Sequence, residues 1–145
     1  MFRMMLVFVF PLAFFAGCSR PESVRITDAW VREPLPGRTV TAAFMTLENP
    51  TGEEIGLMGI ETALSDMVEL HVMEYTGEMM TMKRVDRIMI PAHEKTELKP
   101  GGPHVMLFEL KRSPVAGDSV LLTAQLSNQT RVTVTARIRA YTAMR

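Results

Sequence analysis

Residues 120–140 read VLLTAQLSNQTRVTVTARIRA. Val120, Leu122, Ala124 and Leu126 alternate with Leu121, Thr123 and Gln125; after Ser127-Asn128-Gln129-Thr130, Val132, Val134, Ala136, Ile138 and Ala140 alternate with Arg and Thr. A period of two puts one residue class on each side of an extended chain, so this stretch predicts two half-buried strands joined as a hairpin, each with a dry and a wet face. Working toward the N-terminus, strand signals recur over residues 24–32, 39–47, 55–61, 67–73, 80–85, 96–99 and 105–110. The breaks between them carry turn residues: Pro34-Leu35-Pro36-Gly37, Asn49-Pro50-Thr51-Gly52, Thr76-Gly77, Pro100-Gly101-Gly102-Pro103 and the segment from Pro114 to Gly117. Residues 63–68 could make a helical turn, too short to change the class. Short strands at this spacing without an amphipathic helix predict an all-β protein, an antiparallel Greek-key β-sandwich.

The chain has 145 residues, enough for one domain around one core. It opens Met1-Phe2-Arg3, followed by an apolar run from Met4 to Ala16 and then Gly17-Cys18. That run is shorter than the roughly 20 residues a spanning helix needs. A basic start, a short apolar stretch and small residues before a break describe an export signal. Phe15-Ala16-Gly17-Cys18 resembles a bacterial lipobox, whose cysteine is acylated and becomes the new N-terminus. The expected organisation is a lipoprotein signal peptide over residues 1–17, lipidated Cys18 with a short polar tether to residue 23, and a single β-sandwich domain over 24–145. Such a protein is periplasmic and lipid-anchored, in the bacterial cell membrane or the outer membrane.

Cys18 is the only cysteine, so the domain has no intramolecular disulfide and no thiolate. Loss of residues 1–17 removes Arg3 alone and leaves 15 basic against 16 acidic residues. A mature chain so close to neutral has no electrostatic reason to bind nucleic acid. The sequence also lacks Gly-x-Ser-x-Gly, a Walker loop and a thiol nucleophile, and its carboxylates are scattered over strands and turns. No enzyme mechanism assembles from these residues.

Methionine is the unusual component: thirteen in all, ten of them beyond the signal. Flexible core filler is the default reading, applied here to Met45, Met58 and Met89. Around the histidines the arrangement is more pointed. His-Val-Met occurs at 71–73 and again at 104–106, with Met79, Met80 and Met82 between. In a strand, residues i and i+2 face the same way, about 6–7 Å apart. Each tripeptide therefore presents an imidazole and a thioether on one side and a valine on the other. Thioether sulfur is soft and uncharged; it suits Cu(I) and holds hard ions poorly, while zinc sites draw on thiolate, imidazole and carboxylate. Two histidines and two methionines would give Cu(I) a tetrahedral set without protein charge. A blue-copper electron carrier needs a Cys thiolate, which the domain lacks.

The spacing His71, ten residues, Met82, twenty-one residues, His104, one residue, Met106 resembles the signature of the PCuAC family of bacterial periplasmic copper chaperones. Neighbouring residues fit as well: Glu69-Leu70-His71, Met80-Thr81-Met82-Lys83, the run from Leu98 to Leu107, and Asp28-Ala29-Trp30-Val31-Arg32 before Pro34. The resemblance covers roughly residues 24–140. It implies a cupredoxin-like β-sandwich that binds one Cu(I) through His71, Met82, His104 and Met106. It further implies delivery of the ion to a copper-accepting oxidase subunit, often alongside a Sco-type protein; a monomer is expected. A His- and Met-rich C-terminal extension found in some members is not expected here.

Met73, with the same relation to His71 as Met106 has to His104, is a possible extra ligand. Met79 and Met80 read as packing or as a rim of further thioethers. The Pro-Gly-Gly-Pro turn is expected to present His104 and Met106 at the rim of the domain. His93 reads as a solvated turn residue, and Trp30 as core. A periplasmic copper buffer or resistance protein without a dedicated recipient would use the same ligands, and a purely structural lipoprotein would bury them as core.

Overall fold

The computed structural model describes residues 23–141. The signal segment 1–17, Cys18 and all of the tether but Ser23 lie outside the described residues. Ten strands follow one another: β1 (Arg25–Arg32), β2 (Thr41–Glu48), β3 (Ile55–Thr62), β4 (Met67–Thr76), β5 (Met79–Val85), β6 (Ile88–Ile90), β7 (Lys95–Leu98), β8 (His104–Phe108), β9 (Ser119–Leu126) and β10 (Arg131–Arg139). Hydrogen bonding orders them β5-β4-β8-β2-β1-β10-β9-β3-β6, with β7 also paired to β2. Inward residues of both ends of this path, among them Val31, Leu47, Leu70, Val105 and Leu107 from one and Leu57, Leu122, Ala124 and Ile138 from the other, pack into one apolar cluster. The long sheet is thereby folded over its own core as an all-β, cupredoxin-like sandwich.

The hairpin that opened the sequence reading forms as β9 and β10, with Val120, Leu122, Ala124 and Leu126 buried and Val134 opposite Leu122. Each leucine side chain taken fully out of water there contributes on the order of 1.5–3 kcal/mol. All pairs are antiparallel except β1–β10, which is parallel. That pair departs from the expected all-antiparallel arrangement and closes the two halves across β1.

Three local expectations need correction. A tenth strand, β6, follows the Asp86-Arg87 break, and its Ile88 and Ile90 are buried. Residues 63–66 form a bridged turn in place of a helical one, and residues 67 and 68 open β4: Thr62 pairs with Ser65, whose hydroxyl bonds the Met67 amide and the Phe108 carbonyl. Of the methionines read as core, only Met45 is buried; Met58 and Met89 are exposed beside Gly56.

One buried side chain ties the middle of the sandwich together. Asn49, at the end of β2, donates through Nδ2 to the carbonyls of Glu53, Ile90 and Pro91, and its Oδ1 accepts from the Thr51 amide and hydroxyl. These bonds lock the 49–53 turn onto the end of β6.

Two turns fix the elements that matter for the site. Lys99-Pro100-Gly101-Gly102 closes with the Gly102 amide on the Lys99 carbonyl at 3.0 Å, and Gly101 has φ +77°. Proline at the second position and a left-handed glycine at the third make a type II turn, which delivers the chain into β8 at His104. Thr76 pairs with Met79 across Gly77-Glu78, with φ +64° at Gly77. That two-residue loop starting with a left-handed glycine sets the β4–β5 register.

Candidate metal centre

Register brings the two His-Val-Met segments side by side. In the β4–β8 pair, Leu70 is opposite Val105 and His71 is opposite His104; in the β4–β5 pair, Met73 is opposite Met82 and Tyr75 is opposite Met80. Paired residues in an antiparallel ladder share a face. His71, Met73, Met80, Met82, His104 and Met106 therefore stand on one face, with Leu70, Val72, Val105 and Leu107 turned to the core. This is the outer face of the sandwich.

The imidazoles sit in an aromatic row across four strands. Trp30 stacks on Phe44 at 4.4 Å between centroids, Phe44 is 6.3 Å from His104, His104 is 5.8 Å from His71, and His71 is 6.2 Å from Phe108. Trp30 is thus half-buried on the outer face and not in the core. The cause is a break in β1, where Asp28 has φ +52° and the register shifts between Thr27 and Trp30. The bulge reverses the parity of the strand, so Val31 enters the core and Trp30 turns out.

Each histidine has one ring nitrogen committed. His104 Nδ1–H donates to the Gly102 carbonyl at 2.8 Å, which leaves Nε2 with the lone pair. His71 Nε2–H donates to Glu69 Oε2 at 2.8 Å, and the other Glu69 oxygen accepts from Arg84 at 3.1 Å. His71 Nδ1 is buried and has no hydrogen-bond partner. A buried acceptor left unsatisfied costs about 1–3 kcal/mol, so an electron-pair acceptor at that nitrogen would relieve a real penalty. A carboxylate or backbone carbonyl on the second nitrogen is also how metal-binding histidines are commonly held. Sequence reasoning gave Glu69 no role. Its position two residues before His71 on a strand was the available signal.

Met73, Met82, His104 and Met106 line a common cavity of about 350 Å³, walled further by Phe44, Pro100, Gly101 and Tyr141. His71 is not part of the cavity wall; it stands behind it, beside His104. His104 is only 6% exposed, deeper than the rim position expected of it. Met82 is 52% exposed, while Met73 and Met106 are half-buried. Met80 also faces the cavity and Met79 does not. His93 lies in an exposed turn away from the site, its amide bonded to the Thr51 carbonyl. Among the described residues no three His, Cys, Asp or Glu side chains converge. Zinc and hard cations would want such a group; two imidazoles with thioethers suit a soft, filled-shell ion.

Fold and site together define a cupredoxin-like sandwich with an imidazole–thioether cavity on its outer face. The family model described as "Putative lipoprotein LpqE-like" matches residues 24–138, and the chain belongs to this family. Among curated proteins it is similar to "Putative lipoprotein Lxx21020" of Leifsonia xyli subsp. xyli (strain CTCB07), 29% identical over 108 residues, 74% of this chain. The aligned part spans 64% of that relative's length. Among solved structures it is similar to the copper-bound PCuAC domain from PmoF2, with a TM-score of 0.70, 26% identity and coverage of 81% of this chain and 92% of that one. It is also similar to the solution structure of CuI-DR1885 from Deinococcus radiodurans, with a TM-score of 0.68, 33% identity and coverage of 86% and 83%.

Proposed function

We propose that this protein is an exported copper metallochaperone that holds one Cu(I) through His71, Met82, His104 and Met106. The observation that carries the reading is the orphaned Nδ1 of His71 beside the tethered ring of His104, next to a cavity bordered by thioethers. The two similar solved domains that hold copper support it, and so does the softness of the donor set. Copper is cargo in this reading: the domain binds and releases it and carries out no covalent chemistry. Cys18 anchors the chain to a bacterial membrane on the periplasmic side. The recipient is the copper site of an oxidase subunit, reached directly or with a Sco-type protein, and the chaperone acts as a monomer.

Titration against the Cu(I)-specific chelator bicinchoninate tests the metal assignment, with Cu(II) and Zn²⁺ as controls. One Cu(I) per chain and weak Cu(II) binding are expected; Zn²⁺ binding tighter than Cu(I) would overturn the assignment. Mixing the loaded protein with an apo oxidase copper domain then tests delivery. Retention of the copper in that experiment would favour a buffer or resistance protein without a dedicated recipient.

A further inference from the structure

We infer that Met80 is a fifth, transient Cu(I) ligand at the mouth of the cavity, used when the ion enters or leaves; this rests on the Cu(I) reading above. The imidazoles are closed off, His104 being 6% exposed and the His71 side chain 12%. Met80 and Met82 are open, at 51% and 52%. A donor group arriving from solvent therefore meets thioethers first.

Met80 precedes Met82 by two residues in β5, shares its face and lines the same cavity. Same-face neighbours on a strand are about 6–7 Å apart, and methionine has three rotatable bonds and a polarizable sulfur. Two such side chains can close on one ion. Met79 supplies a built-in contrast: it is more exposed, at 66%, but lies on the opposite face of β5 and outside the cavity.

With no further donor in reach, departure from a four-coordinate site would begin by breaking one bond and leave copper with three ligands. A Cu–S bond to Met80 forms as the Cu–S bond to Met82 breaks. The ion stays Cu(I) and the coordination number is kept. Met80 is then displaced by the incoming donor. Because Met80 holds copper only in passage, its loss changes rates and leaves the resting set intact.

The test is the rate at which bicinchoninate strips copper from the loaded full-length protein, compared for Met80→Leu, Met79→Leu and wild type, with Kd measured on the same samples. Leucine preserves the volume and apolar character of the mouth, and melting curves confirm folding. Met80→Leu should slow removal about tenfold, the factor carried by ~1.4 kcal/mol of barrier, with Kd unchanged within about twofold. Loading from the Cu(I)–bicinchoninate complex should slow by the same factor, as an unchanged equilibrium requires. Met79→Leu should match wild type. A wild-type rate for Met80→Leu, equal slowing by Met79→Leu, or a Kd loss at Met80 as large as at Met82 would each overturn the inference. Absence of Cu(I) binding in the wild type would instead overturn the function proposed above.

Discussion

His71 and His104 are direct cross-strand partners, their ring centroids 5.8 Å apart, and opposite ring nitrogens are tied down: Nε2 of His71 by Glu69, Nδ1 of His104 by the Gly102 carbonyl. Two residues 33 positions apart in sequence thus offer lone pairs from rings whose orientation is already fixed. Preorganisation of this kind lowers the ordering cost of binding an ion.

The thioether partners should separate metal binding from folding. Replacing the half-buried Met106 by Leu conserves volume and should cost less than about 1.5 kcal/mol of apo stability. Copper affinity should fall strongly, and the copper-induced rise in Tm should shrink with it, because a ligand that binds only the folded state stabilises by mass action. Met82→Leu should behave likewise. Met73→Leu, opposite Met82 in the same pair, should leave most of the shift in place. Paired apo and Cu(I)-loaded melting curves check all three; a shift lost with Met73 and kept without Met82 would exchange their roles.

Glu69 should act through His71. Glu69→Gln keeps the size of the side chain but weakens the hydrogen bond that fixes the Nε2–H tautomer. Cu(I) affinity should drop about 10–100-fold, the usual loss when the hydrogen-bond partner of a metal-binding histidine is removed. Nitrogen NMR shifts of His71 should show the single tautomer giving way to a mixture. An unchanged tautomer and affinity would remove Glu69 from the account.

Asn49 concerns the scaffold alone. Asn49→Ala abandons the buried carbonyl of Ile90 and the partly buried one of Pro91, supplies no replacement for its own amide and frees the 49–53 turn. Each buried polar group left without a partner costs about 1–3 kcal/mol, so chemical denaturation should report a loss of at least ~2 kcal/mol. Cu(I) affinity of the folded fraction should be unaffected, since Asn49 does not line the cavity.

Much of this was legible in the sequence because β-structure writes itself with a period of two. The alternation from Val120 to Ala140 marked a hairpin, and the repeated His-Val-Met set imidazole and thioether opposite a core valine. What escaped had local physical causes. A three-residue strand such as β6 is too short to show a period. Trp30 reads as core from the sequence, and no residue pattern there announces the bulge at Asp28 that turns it to the outer face. Glu69 reads in the sequence only as a flank of His71; its hold on the imidazole depends on the side-chain rotamers the two adopt on β4, which no sequence pattern specifies. The depth of His104 depends on Phe44 and the 99–103 turn, which meet only once the chain has folded.

The proposed lipid anchor, Cys18, lies outside the described residues. Cys18→Ser should block lipid attachment and signal removal, and should shift the protein from the membrane to the soluble or unprocessed fraction. Intact mass spectrometry of the wild type should show an acylated N-terminal Cys18; an unmodified thiol would contradict the lipoprotein reading.

X-ray absorption at the copper edge of the Cu(I)-loaded domain tests the ligand set most directly. Two nitrogen and two sulfur scatterers are predicted in the wild type, with the sulfur contribution halved in Met106→Leu and the nitrogen contribution halved in His71→Ala. A shell of nitrogen and oxygen alone, or a sulfur contribution that Met106→Leu leaves unchanged, would contradict the account.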